Sequence, residues 1–114
     1  YMTKTQINFD EYNKIEVRVG KIVEAVVPEG SNKLIQFRVD FGSEIGQKTI
    51  FSGIKEWYNP EELVGVKTIW VVNLPAKKTP FGESQGMLFA CDTLDKKPYI
   101  VRIGEEVEVG SEFH

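Results

Sequence analysis

Lys77 and Lys78 stand side by side in the stretch N-L-P-A-K-K-T-P-F-G-E-S-Q-G-M-L-F-A, residues 73–90, with Pro75 before them and Pro80 after. The prolines fix φ at their positions, and Gly82 and Gly86 permit sharp turns, so a stiff loop carries both ammonium groups outward. Paired outward cations suit a polyanion. Recognition of a structured nucleic acid needs cations in register with phosphates, hydroxyls and amides for 2′-hydroxyls, and flat surfaces for any unstacked base. Lys33, Arg38, Lys77 and Lys78 can supply the cations, and Asn32, Ser84 and Gln85 the hydrogen bonds. Trp57 and Tyr58 either stack bases or pack beside a short helix. The bland alternative for the loop is a solvated hairpin with incidental lysines.

Other chemistries lack their parts. One histidine, His114, and one cysteine, Cys91, leave no ligand set for a metal. Ser52 and Ser84 have no histidine base within the domain, and neither G-x-x-x-x-G-K-[ST] nor G-x-G-x-x-G occurs. Glu61 and Glu62, adjacent on an expected helix, point apart and make a poor acid–base pair. The chain is therefore expected to bind rather than catalyse, without cofactor or metal. Cys91, inside the apolar run M-L-F-A-C, reads as a small buried hydrophobe.

The 114 residues suffice for one core, so one domain over 1–114 is expected. Tyr1, preceding Met2, is expected to be an expression remnant, and His114 either a tag residue or native. Hydrophobic content of 41% and charged content of 27% are ordinary for a soluble protein. No apolar run approaches the roughly 20 residues of a membrane span, so no membrane association and a cytoplasmic location are expected. The net charge of −3 opposes binding to a polyanion by the molecule taken whole. Its distribution is uneven. Residues 66–103 carry six basic side chains and three acidic ones, whereas 104–114 carry four acidic and none basic.

The elements that must position these residues follow from period and punctuation. Asn8 and Glu11 form a capping-box pair for a short helix whose Phe9 and Tyr12 share a face, free to pin it to the sheet or to a second subunit. Alternation from Ile15 onward marks a long first strand to residue 27, with a bulge or bend at Gly20. Ile35, Phe37, Val39 and Phe41 form one face of a second strand, F-G-S-E-I-G a hairpin, and residues 48–52 a third strand. Asn59-Pro60 starts a short helix that Gly65 ends. Residues 66–72 and 86–91 read as strands four and five, and 99–103 as a further strand. An all-β, five-stranded chain with a short helix between strands three and four has the layout of the oligonucleotide/oligosaccharide-binding (OB) barrel, in which the loop between strands four and five flanks the ligand face.

The runs S-N-K-L (31–34), F-S-G-I (51–54), P-E-E-L-V-G (60–65), N-L-P-A-K-K (73–78) and S-Q-G-M (84–87) occur in this order over nearly the whole chain. In that order and spacing the chain resembles the tRNA-binding domain found at the C-terminus of bacterial methionyl-tRNA synthetases, in free-standing tRNA-binding proteins and in the endothelial monocyte-activating polypeptide. The resemblance implies binding to the tRNA elbow by backbone and shape, in aid of a methionyl-tRNA synthetase in cis or in trans. It implies contacts from Lys33, Ser52, Lys77, Lys78, Ser84 and Met87, although Ser52 and Met87 also read as core and strand-end residues. Relatives often carry arginine near Lys77 and Lys78, which implies weaker binding here. Segments beyond the barrel build a homodimer interface in the resembled family; capping of the barrel's open end is the alternative. A dimeric export chaperone that binds unfolded polypeptides resembles the same fold and shares a stretch like residues 40–46, but S-Q-G-M and F-S-G-I favour tRNA.

Overall fold

The structure is a computed structural model and describes residues 3–114; Tyr1, read above as an expression remnant, lies outside them. The strands are β1 (Val17–Val26), β2 (Ile35–Asp40), β3 (Gln47–Ser52), β4 (Lys67–Val71), β5 (Lys77–Thr79), β6 (Gly82–Ser84), β7 (Met87–Leu88), β8 (Cys91–Asp92) and β9 (Pro98–Tyr99). Two one-turn helices, α1 (Phe9–Tyr12) and α2 (Pro60–Leu63), complete the elements. Five strands form one antiparallel sheet in the order β3-β2-β1-β4-β7, and β5-β6 and β8-β9 are separate hairpins.

β1 serves two neighbours. Its first half pairs with β4, from Val17 opposite Val71 to Lys21 opposite Lys67, and its second half pairs with β2, from Lys21 opposite Asp40 to Val26 opposite Gln36. A strand that changes partner midway must bend, and the sheet curls into the nearly closed five-stranded barrel that the strand and helix order implied. Inside it lie Ile35, Phe37, Val39 and Phe41, the alternating face of the second strand, together with Ile22, Ile50, Leu63 and Trp70. The Trp70 ring meets Phe37 and Phe41 edge-on, at centroid distances of 5.8 and 6.4 Å, an arrangement that suits aromatic quadrupoles.

Gly20 has a different purpose from the one expected. The register shift in β1 lies between Ile22 and Glu24, whereas Gly20 pairs regularly with Thr68. A Cβ at position 20 would lie 2.5 Å from Val39, 2.6 Å from Phe41 and 2.8 Å from Trp70, so the missing side chain makes room for the core. The Gly20 carbonyl also accepts the Trp70 indole N–H at 3.1 Å.

Both helix starts follow the sequence. In α1 the Asn8 side chain accepts the Glu11 N–H at 2.8 Å, and the Glu11 carboxylate accepts the Asn8 N–H at 3.2 Å. In α2 the Glu62 carboxylate accepts the Asn59 N–H at 2.8 Å, and Gly65, at φ +90°, turns the chain back so that its N–H reaches the Ile22 carbonyl. Phe9 and Tyr12 are exposed, so α1 is not pinned to the sheet.

The second half of the chain departs most from the sequence reading. The expected fifth strand over 86–91 divides, with Met87 and Leu88 on β4 and Cys91 and Asp92 paired to Tyr99 and Pro98 in the outer hairpin. Only Leu88 of the run M-L-F-A-C enters the core, and Cys91 is exposed, contrary to the buried position expected. The strand expected over 99–103 is reduced to Pro98 and Tyr99. The tail covers the part of β1 that β2 leaves bare: Val19 donates to the Ser111 carbonyl at 2.9 Å and accepts from Gly110 at 2.7 Å, and Phe113 donates to Val17 at 2.9 Å. Arg18 clamps this edge, bonding to the Gly110 carbonyl at 2.9 Å and the Glu16 carboxylate at 2.7 Å. The Glu16 hydrogen bond raises the pKa of the Arg18 guanidinium, which is charged in any case.

Gly20→Ala is expected to lower stability by about 1–3 kcal/mol through overpacking against Val39, Phe41 and Trp70. The denaturant midpoint measures it; a wild-type midpoint would mean that the three side chains give way freely.

Candidate nucleic-acid interface

The stretch read as an aperiodic loop folds into the β5-β6 hairpin, with Lys77 opposite Ser84, Lys78 opposite Glu83 and Thr79 opposite Gly82. Its tip is tied by the Thr79 hydroxyl, which donates to the Gly82 carbonyl at 2.7 Å and accepts from the Phe81 N–H at 3.1 Å. Consecutive residues on a strand face opposite ways, so the two lysines do not act as one cluster. Lys77 lines a groove; Lys78 shares its side of the hairpin with Glu83, which offsets part of its charge.

The hairpin is bonded to the edge of β3. The Ser84 hydroxyl accepts the Phe51 N–H at 3.0 Å and donates to the Gly86 carbonyl at 3.2 Å. Beside it, the Gln85 side-chain oxygen accepts the Thr49 N–H at 2.8 Å, and the Gln85 N–H donates to the Thr49 carbonyl at 2.8 Å. Ser84 is 6% exposed and its hydroxyl is engaged on both sides. In this structure Ser84 and Gln85, expected as ligand hydrogen bonders, close the barrel between β3 and β7.

A second wall comes from the S-N-K-L turn. Buried Ser31 accepts the Leu34 N–H at 2.9 Å through its hydroxyl and donates to the Leu34 carbonyl at 3.1 Å. The Lys55 ammonium donates to the Ser31 carbonyl at 2.9 Å, and the Lys55 N–H to the Lys33 carbonyl at 3.1 Å. The turn is thereby fixed with Asn32 and Lys33 exposed. They line a groove of about 420 Å³ with Gly53, Glu56 and Trp57. A neighbouring groove of about 340 Å³ is lined by Leu34, Phe51, Gly53, Pro75, Lys77 and Met87, among others. Gly53 belongs to both, so the groove lined by Trp57 and the groove lined by Lys77 adjoin at that residue.

The structure thus brings together Asn32, Lys33, Lys77 and Met87. Arg38 lies apart, on the outer side of β2, opposite Glu24 and 3.4 Å from the Thr49 hydroxyl, in a separate hollow of about 260 Å³. Ser52, half-buried and paired with Ile35, ends β3 next to Gly53 and lines neither groove. Of the two aromatics left open between stacking and packing, Trp57 is 38% exposed and lines the Lys33 groove. Tyr58 does the packing, with its hydroxyl on the Pro98 carbonyl at 2.7 Å and the Lys97 ammonium 4.9 Å from its ring centroid. Among the described residues no cluster of three or more His, Cys, Asp or Glu could hold a metal ion, and no helix is long and apolar enough to cross a membrane.

Barrel and grooves together define an OB-type domain with a candidate binding face, and the comparisons with known proteins specify its family. The sequence profile described as "Putative tRNA binding domain" matches residues 17–112. A methionine–tRNA ligase of Paraburkholderia xenovorans is 45% identical over 91 residues, which cover 80% of this chain and 13% of the ligase. One of Parabacteroides distasonis is 38% identical over 109 residues, covering 96% of the chain and 16% of the ligase. Among solved structures, a MetRS-related protein from Pyrococcus horikoshii superposes with a TM-score of 0.89 at 40% identity, over 97% of this chain and 100% of that one. The CsaA chaperone protein of Picrophilus torridus gives 0.84 at 27% identity, over 96% and 100%. The chain belongs to the tRNA-binding domain family, and it spans only 13–16% of these ligases.

Ser84→Ala would leave the buried Phe51 N–H without its acceptor, at an expected cost of about 1–3 kcal/mol. The denaturant midpoint should fall and amide exchange at Phe51 should quicken; unchanged values for both would show that the seam does not depend on the hydroxyl.

Proposed function

We propose that this chain binds tRNA at its elbow, through backbone and shape rather than base sequence, and that it assists a methionyl-tRNA synthetase in cis or in trans. The observation that carries this reading is the pair of adjoining grooves in a chain of the tRNA-binding domain family, with Lys33 on one groove and Lys77 on the other. The two ammonium groups meet phosphates, Asn32 supplies hydrogen bonds, and Met87 gives an apolar contact at the rim. Lys78 and Arg38 contribute from the periphery, while Ser84, Gln85 and Ser52 act chiefly by holding the face in shape. The compartment in this reading is the cytoplasm.

Chaperone activity toward unfolded polypeptides is the second reading, supported by the likeness to the CsaA protein and by the exposed apolar side chains Leu74, Met87, Phe89 and Leu94. Titration of the chain with tRNA and with an unfolded polypeptide, each at two salt concentrations, separates the two. Salt-sensitive binding of tRNA alone is expected, and binding of polypeptide alone would replace the first reading by the second. Lys77→Ala should weaken tRNA binding by about two- to fivefold and lower the slope of log affinity against log salt by about one. Lys78→Ala should do less, because Glu83 shares its face; equal affinity and slope in both variants would remove the hairpin from the interface.

The chain also forms a homodimer in this reading. Ile7, Phe9, Tyr12 and Tyr99 are exposed at its two ends, and a specific interface needs at least about 1,000 Å² in total. Sedimentation should show mass rising with concentration above 13.0 kDa. A monomer at every concentration would leave these ends as surface.

A further inference from the structure

We infer that Trp57 is a stacking plate for one unpaired base of bound RNA, with the groove beside it taking a single extruded nucleotide; this rests on the tRNA-binding reading and deepens it. The chain's two tryptophans occupy opposite environments. Trp70 is wholly enclosed in the barrel, whereas Trp57 is 38% exposed. Trp57 is nevertheless firmly held at its backbone. Its N–H donates to the carbonyl of buried Ile54 at 3.0 Å, and the next residue, Tyr58, is anchored through its hydroxyl to Pro98 at 2.7 Å. An indole on a fixed backbone loses little freedom on meeting a flat ligand.

A lone exposed aromatic means little; its surroundings give this one a ligand. The groove of about 420 Å³ is lined by Trp57 together with Asn32, Lys33, Gly53 and Glu56, residues that carry an amide, an ammonium and a carboxylate. Aromatic plate, cation and amide are respectively what a base face, a phosphate and a base edge or 2′-hydroxyl require. Glu56 repels phosphate and accepts hydrogen bonds from exocyclic amino groups, so its end of the groove suits a base and not the backbone. Gly53 lines both this groove and the Lys77 groove, and the space beside its Cα is open, with nothing within 4 Å of where a Cβ would stand. A strand whose phosphates run between Lys33 and Lys77 can thus lay one base on Trp57. The base must be unpaired, because within a duplex both faces of every base are covered by its stacked neighbours.

Tryptophan emission reads this directly, with buried Trp70 as internal reference. The full chain is titrated with tRNA, with a short single-stranded RNA and with a fully paired RNA duplex. Quenching by tRNA and the single strand, and none by the duplex, is expected. Trp57→Ala should weaken tRNA binding about 5- to 150-fold without changing the salt slope, because stacking releases no counterion. Trp57→Phe should recover most of the affinity with no quenching. Wild-type affinity in Trp57→Ala, with Lys77→Ala still impaired, would overturn the stacking plate and leave the tRNA-binding reading intact. Quenching that persists in Trp57→Phe would come from Trp70 and would also overturn it. Failure of the wild-type chain to bind tRNA at any salt would overturn both.

Discussion

The amide groups of Thr49 and Phe51 lie on the edge of β3, and the barrel can close only if something accepts their protons. β7 is too short to do so as a strand, since its two residues pair with β4. Ser84 and Gln85 supply the acceptors from side chains, and the Gln85 N–H adds a backbone bond to Thr49. An open edge would leave a row of unpaired backbone groups, which is both costly and prone to association. Closing it this way ties the β5-β6 hairpin to β3, places Gly82 over the Phe51 ring and fixes where Lys77 emerges. The candidate interface is in this sense a by-product of edge closure.

Sequence period revealed the features that depend on neighbours close in the chain. The buried face of β2, the capping box of α1, the turn at 41–46 and the helix opened by Pro60 are all set by residues a few positions apart. Contacts at long range were not legible. The Ser84 hydroxyl looked available for a ligand because nothing near it in sequence shows that Phe51, 33 positions away, needs an acceptor. Gly20 was ambiguous for a similar reason: a missing Cβ serves a bend or a close approach equally well, and only the packing of Val39, Phe41 and Trp70 decides. The run from Met87 to Cys91 was apolar throughout and so carried no phase to show which residues face inward. The pairing of Lys77 with Lys78 held only for a loop; once the stretch is a strand, adjacency means opposite faces.

The uneven charge of the sequence also acquires a structural meaning. Lys67, one of the six basic residues in 66–103, donates to the Val107 carbonyl at 2.7 Å and lies 3.7 Å from the Glu105 carboxylate, so it holds the tail. Lys97 sits over Tyr58. Glu112 approaches Arg18 at 3.9 Å on the β1 edge. Much of the charge is thus used in attaching the C-terminal segment to the barrel, and the acidic tail bonds to β1 and β4 while the lysine hairpin bonds to β3.

What remains for a polyanion is a small set of cations, chiefly Lys33 and Lys77, on a molecule of net charge −3. Each neutralised phosphate contributes a salt slope of roughly one, so a few contacts give modest, easily screened attraction. Counterion release therefore cannot supply most of the specificity for a folded RNA. That must come from contacts insensitive to salt, which are effective only if already in place before the ligand arrives. The Ser31 and Lys55 bonds under Lys33, the Ile54 bond behind Trp57 and the Ser84 bond behind Lys77 provide such order. If the proposed function holds, a weakly charged domain of this kind would select its partner by the fit of a rigid face, with polar side chains such as Ser31 and Ser84 serving that rigidity.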